Sequence, residues 1–209
     1  MRRCTLPVVV NGVGLNAAGA SGSACDAAGN TQTLTFDANG MATLNVSYAD
    51  AGQMTVAASY TGSGADAGLS MSGNDTFVAT PKSFAISTTG PYVAGQGYTG
   101  SVTAQNAAGA TTPNFGRESP AATATFSQSV SKPTGTAAKA GTLAGTLGAF
   151  NSGVATFSGL SWTEVGALDF SVTASNYLGS GLSVTSTTGT AGAIGPFIPH
   201  HFDVAVTQA

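Results

Sequence analysis

Four side chains carry most of the acid–base potential of this chain. Glu118 and Glu164 are its only glutamates, and His200 and His201 its only histidines. General acid–base catalysis needs such groups within hydrogen-bond reach of a substrate, and covalent catalysis needs a nucleophile beside an activating base. Serines are abundant, but none sits in a Gly-x-Ser-x-Gly elbow, and both histidines fall in the last ten residues. The expectation is a chain without catalytic residues, not an enzyme. A pocket converging on Glu118 or Glu164 would be the sign of a catalytic module.

Metal ligation meets a similar shortage. His200, His201 and Asp203 are candidate ligands, but neighbours on a strand point to opposite faces, so His200 and His201 are not expected to share an ion. His201 and Asp203 share a face, and two ligands fall short of a zinc site. The turns Asp26-Ala27-Ala28-Gly29-Asn30 and Asp37-Ala38-Asn39-Gly40 offer oxygens to a structural calcium. Calcium takes about six to eight oxygens, often with a bidentate Glu that neither turn has. Asx-Gly pairs are ordinary turn formers, so no cofactor and no metal site is expected.

Tyr48, Tyr60, Tyr92, Tyr98, Tyr177 and Trp162 are the residues able to stack on sugar rings. Trp162 and Tyr48 hold equivalent places in an internal repeat, which argues for packing. Tyr177, ahead of Leu178-Gly179-Ser180-Gly181, is the better candidate for exposure. Tyr177 and Trp162 are thus the weak ligand-binding candidates. Lys82, Lys132 and Lys139 raise the question of Lys–Asn isopeptide bonds, which need a buried lysine; Lys82, at a strand start beside Pro81, reads as solvated. The formal charge of −3 is scattered. With no basic stripe, nucleic acid is not an expected partner. No run approaches the ~18 apolar residues of a membrane-spanning helix, so membrane insertion is not expected either.

What must position these groups is β-structure. Thr33-Leu34-Thr35-Phe36 alternates, meets Asp37-Ala38-Asn39-Gly40, and is followed by an alternating run over 41–48. Asn-Gly between alternating runs is a strong hairpin signal. The run 54–60 then extends the pair to an expected three-stranded meander with Met54, Val56 and Ala58 on one face. The scheme returns. Gly40-Met41-Ala42-Thr43-Leu44 is matched by Gly153-Val154-Ala155-Thr156-Phe157, an interval of 113 residues (153 − 40). Pro81-Lys82-Ser83-Phe84-Ala85-Ile86 is matched by Pro199-His200-His201-Phe202-Asp203-Val204, an interval of 118 (199 − 81). Repetition of one supersecondary unit predicts an array. No segment shows helical periodicity with caps. The Ala/Gly/Thr-rich stretch from Ser131 to Gly148 reads as a long hairpin excursion or a mobile loop, since its glycines oppose a helix.

The fold class is therefore all-β: tandem immunoglobulin-like β-sandwich modules in an array truncated at both ends. Residues 1–80 are expected to be one module, incomplete at its N-terminus. Residues 81–198 form a complete one, and 199–209 the first strand of a further one. Charged residues make up only 7% of the chain, against about 25% in an average soluble domain, and Thr, Ser, Gly and Ala take their place. Cys4 and Cys25 are the only cysteines, and an even count on such a chain favours a disulfide. It would close a loop of about 20 residues, worth about 3 kcal/mol in the chain-entropy picture. The alternative is two buried thiols. The apolar start at Leu6-Pro7-Val8-Val9-Val10 is broken by Asn11 and Gly12 and makes a poor signal peptide, so an export signal is expected upstream.

The segment Pro196-Phe197-Ile198-Pro199-His200-His201-Phe202-Asp203-Val204 resembles the Gly-Arg-Phe-x-Pro-Asp-His-Phe segment of large surface proteins related to biogenesis protein Q of the mannose-sensitive haemagglutinin (MSHA) type IV pilus. It departs from that pattern by carrying Pro196 for the Arg and His200 for the Asp. Asn106-Ala107-Ala108-Gly109 and Thr112-Pro113-Asn114-Phe115 look like bacterial immunoglobulin-like modules over most of 81–198. The resemblance brings no catalytic residues. It implies an exported, envelope-associated Gram-negative protein connected with pilus assembly or adhesion, at the cell surface or outside the cell. The expected function is that of a structural spacer whose partners are flanking domains of the same polypeptide and pilus or envelope components. The alternative is an adhesin binding a glycan or host protein through sandwich loops.

Overall fold

The computed structural model describes residues 8–10, 13–14, 31–136, 138–188 and 193–207. Cys4, Cys25 and the Asp26–Asn30 turn lie outside the described residues. The chain divides into two compact units, Met1–Thr80 and Pro81–Ala209.

In the first unit, β1 (Val8–Val10) lies between β2 (Val13–Gly14) and β3 (Val46–Tyr48), all antiparallel. The Asp37–Gly40 turn forms as its residues dictate. Asp37 Oδ1 accepts the N–H of Asn39 at 2.8 Å and of Met41 at 2.9 Å, and Gly40 takes a φ of +73°. These bonds favour the charged carboxylate and hold Asp37 below its ordinary range. The strands expected on either side of the turn, 33–36 and 41–45, do not appear; only Val46–Tyr48 of the returning run is a strand. Phe36 and Met41 are 61% and 64% exposed, so the apolar residues of this run are gathered into no core. β4 (Gly52–Thr61) and β5 (Ser70–Ala79) pair in unbroken register from Gly52↔Ala79 to Thr61↔Ser70.

The second unit is a sandwich. Its strands are β6 (Ser83–Thr88), β7 (Tyr92–Val93), β8 (Tyr98–Gln105), β9 (Thr125–Lys132), β10 (Leu143–Ala144), β11 (Val154–Trp162), β12 (Gly166–Ala174), β13 (Val184–Thr187) and β14 (Ile194–Ile198). One sheet runs β10-β11-β8-β6. The other runs β13-β12-β14-β7, with β9 on the far edge of β12 and β7 parallel to β14. The chain crosses between the sheets at each step from β6 to β10 and again from β11 to β12, so each sheet mixes strands from distant parts of the sequence as in an immunoglobulin-like domain. The Phe84 N–H donates to Ser186 Oγ at 2.7 Å and laces the two sheets together at one edge. Between them lie Val102, Leu160, Trp162, Leu168, Phe170 and Val172, all fully buried.

The meander expected in each half does not form. β3 pairs with β1 while β4 pairs with β5; β11 pairs with β8 while β12 pairs with β9, β13 and β14. Two glycines turn the chain between those strands: Gly52 opens β4 at φ +137° and Gly166 opens β12 at φ +121°. At Gly166 a Cβ would stand 2.1 Å from the Lys132 carbonyl oxygen, so the crossing admits no side chain. Tyr48 ends β3 and Trp162 ends β11, each four residues before its glycine. The two share that place at a strand end but not their burial, Tyr48 being half-buried and Trp162 fully buried.

The Ala/Gly-rich stretch is the outer arm of a long hairpin and not a mobile loop, β10 and β11 being successive antiparallel strands that close at the Asn151↔Val154 bridge. It returns as a strap along β11, with Leu143↔Trp162 and Ala144↔Ser161 as its register. Trp162 Nε1 donates to the Ala140 carbonyl at 2.8 Å, and Thr142 N donates to Thr163 Oγ1 at 2.9 Å. Glycine is what lets the strap lie so close: a Cβ at Gly141 would meet Trp162 Nε1 at 2.4 Å. Beyond β14, residues 201–207 have no strand, and Phe202 is 84% exposed.

Candidate loop-end site

The loops β8–β9, β10–β11 and β12–β13 meet at one end of the sandwich, where the only described non-glycine residues with positive φ stand. These are Ser152 (+53°), Asn176 (+48°) and Leu178 (+50°). Such conformations cost of order 1–2 kcal/mol for residues with a Cβ and persist only where surroundings enforce them. Asn151-Ser152-Gly153 reverses the chain with Ser152 and Gly153 (φ +80°) both left-handed, the geometry of a two-residue hairpin turn.

Glu118 holds the site together. Its Oε2 accepts the Gly116 N–H at 2.7 Å and the Ala122 N–H at 3.1 Å, curling the β8–β9 loop around the carboxylate. Its Oε1 accepts the Tyr177 hydroxyl from the β12–β13 loop. The Tyr177 ring stacks on Phe115, centroids 5.5 Å apart, and Phe115 meets Phe150 edge-on at 4.8 Å. Next to this, Arg117 Nη2 donates to Ser152 Oγ at 2.8 Å. Tyr177 N–H donates to the Leu182 carbonyl at 2.8 Å, which leaves Leu178 and Leu182 outward, 42% and 46% exposed.

The residues singled out from sequence lie elsewhere or face inward. Tyr177, expected to be exposed, is 3% exposed, because its ring completes the floor formed by Phe115. Trp162 is fully buried, its indole edge-on to Phe197 at 5.1 Å. Stacking on a sugar needs an open ring face, and burial denies one to both. Glu164 sits at the opposite end, beside Gly141 of the strap, so the two glutamates do not converge. His200 and His201 are not on a strand, and their Nδ1 atoms approach to 2.8 Å, contrary to the opposite faces expected. His201 Nε2 lies 3.5 Å from Asp203 Oδ1, both side chains in solvent. Among the described residues no group of three or more His, Cys, Asp or Glu side chains is placed to hold a metal ion.

One titratable group is enclosed in the sandwich itself. Tyr98 is buried at the start of β8, edge-on to Tyr92 at 5.4 Å, and its hydroxyl has no hydrogen-bond partner. Burial, with Tyr92 adding to it, pushes this hydroxyl well above the usual tyrosine range. Sequence reasoning missed the Glu118–Tyr177 pair, for the two residues are 59 apart and nothing local links them.

Two family profiles match the chain. Residues 2–74 match a domain of unknown function (DUF6701), first Ig-like domain, and residues 164–209 match the DUF6701 third domain. The second match begins between β11 and β12 and so cuts the sandwich in two. The packing places the boundary before Pro81 instead, because β12 pairs with β9 and shares its core with β8 and β11. No curated protein and no solved structure matches the chain.

Proposed function

For a chain matched by an Ig-like domain family, we propose the work of a structural module: a spacer in an exported bacterial surface protein that carries other domains away from the envelope. The observation that carries this reading is the inward closure of the loop end. There the carboxylate, the tyrosine and the ring floor of the site are used on one another. Thr, Ser, Gly and Ala dominate what remains, and 7% charged residues leave few groups for recognising a charged partner. The chain needs no catalytic residue, cofactor or nucleic acid for this role, and its partners are flanking domains of its own polypeptide. The likeness of residues 196–204 to surface proteins of the MSHA biogenesis protein Q kind supports a link to type IV pilus assembly and an export signal upstream.

The test places loop substitutions, Arg117→Ala with Leu178→Ser, in the parent surface protein and measures cell adhesion and pilus display. A spacer tolerates the substitutions, while deletion of residues 81–198 impairs both. Loss of adhesion from the loop substitutions alone overturns the spacer in favour of an adhesin. That second reading has one observation behind it: Leu178 is held outward in a costly left-handed conformation.

A further inference from the structure

Residues 201–207 belong to no sheet among the described residues, and Phe202, Val204 and Val206 are 84%, 86% and 88% exposed. Alternation puts the three on one face of an extended chain. The same chain shows such a segment with its partners in place. Pro81-Lys82-Ser83-Phe84-Ala85-Ile86, its sequence counterpart, leads into β6, which pairs with β8 from Ser83↔Gln105 to Thr88↔Gly100. There Phe84 is 5% exposed, packed on Phe115 at 5.5 Å and Phe150 at 5.9 Å. Both segments are launched alike: Pro81 comes two residues after β5 ends at Ala79, and Pro199 directly follows β14 at Ile198. In the second unit that slot is filled by β6 itself.

We infer that residues 199–207 are a first strand of the β6 kind, which adds to the open edge of another immunoglobulin-like sandwich and plants Phe202 in its core. The inference rests on the modular reading above and adds to it the anchoring residue and the nature of the partner. That partner is a β8-like antiparallel edge over an aromatic pocket like that of Phe115 and Phe150. His200, His201 and Asp203 then lie at the junction between two sandwiches.

The test uses the 209-residue chain and Trp162 fluorescence, the reporter of the second unit. A graft puts Pro-His-His-Phe-Asp-Val-Ala-Val in place of residues 81–88 (Lys82→His, Ser83→His, Ala85→Asp, Ile86→Val, Ser87→Ala, Thr88→Val). A second graft leaves the half-buried Ala85 unchanged, in case a charge there prevents folding. At least one graft keeps a cooperative thermal transition within about 10 °C of the parent, whereas Phe84→Ser loses more than that. Absence of a transition in both grafts overturns the equivalence. In the unaltered chain, Phe202→Ser shifts the transition by no more than about 1 °C, because Phe202 has no packing here to lose. A drop of several degrees places Phe202 on its own sandwich and overturns the inference. Sedimentation velocity completes the set: a dimer abolished by Phe202→Ser assigns the slot to a second copy and overturns the partner named. None of these readouts involves adhesion, so their failure leaves the spacer reading to its own test.

Discussion

Replacing Glu118 removes the acceptor that joins the β8–β9 and β12–β13 loops, and the cost can be worked from its three bonds. The Tyr177 hydroxyl gives up a hydrogen bond to a carboxylate, and bonds of that charged kind contribute about 1.5–3 kcal/mol. Glu118 is half-buried, so solvent screening favours the lower end. Tyr177→Phe should therefore destabilise the second unit by about 1.5 kcal/mol, with the ring still stacked on Phe115. Glu118→Ala also releases the Gly116 and Ala122 N–H groups, which recover water in part, and should cost about 2.5 kcal/mol in total. The double variant should cost about 3 kcal/mol, less than the sum, which implies a coupling of about 1 kcal/mol. Urea unfolding followed by Trp162 fluorescence reads all four proteins, because the only tryptophan lies in this unit. Additivity within about 0.3 kcal/mol, or a neutral Tyr177→Phe, would refute the clamp.

Four further outcomes follow from the same geometry. Gly141→Ala meets both a left-handed φ of +63° and Trp162 Nε1, and should cost at least about 1 kcal/mol more than Gly181→Ala, which meets only φ +77° with open space; equal urea midpoints would deny the close approach. Trp162→Phe should cost about 2 kcal/mol and speed tryptic cleavage at Lys139, because the strap loses the indole bond to Ala140; an unchanged cleavage rate would show the strap is held by other means. Tyr98 should resist ionisation when tyrosinate absorbance is followed upward in pH. Its folded value lies above the unfolded one, so its contribution to stability is full below about pH 10 and lost as pH rises; a single ordinary titration of all tyrosines would contradict its burial. Asp37→Asn should remove an acid-sensitive contribution. A depressed folded pKa gives stability above the unfolded value that fades as pH falls, so equal acid profiles for the two proteins would count against the Asp37 turn.

Local sequence determined several strands and turns of this protein, though not the strands expected at 33–36 and 41–45. Leu168, Phe170, Val172 and Ala174 alternate in the sequence as the buried face of a strand does, and those four side chains are buried in the sandwich. Asp37-Ala38-Asn39-Gly40 carried its turn geometry in its own side chains. The repeat paired Tyr48 with Trp162 and Gly40 with Gly153, and the two glycines take φ of +73° and +80°. Those features depend on neighbours in the chain, which a sequence displays.

Tertiary structure decided which strand lies beside which. A strand of period two presents the same pattern whether it pairs with the strand before it or crosses to the other sheet, so the expected meander and the observed sandwich read alike. The same holds for the Ala/Gly stretch. Its glycines look like freedom until Trp162 and β11 stand against them, and then they are the condition for contact. Tyr177 looked like a loop aromatic because Phe115 and Glu118, which bury it and bind its hydroxyl, are about 60 residues away in sequence. Burial and long-range hydrogen bonds are properties of the folded arrangement, set by groups that no local window contains.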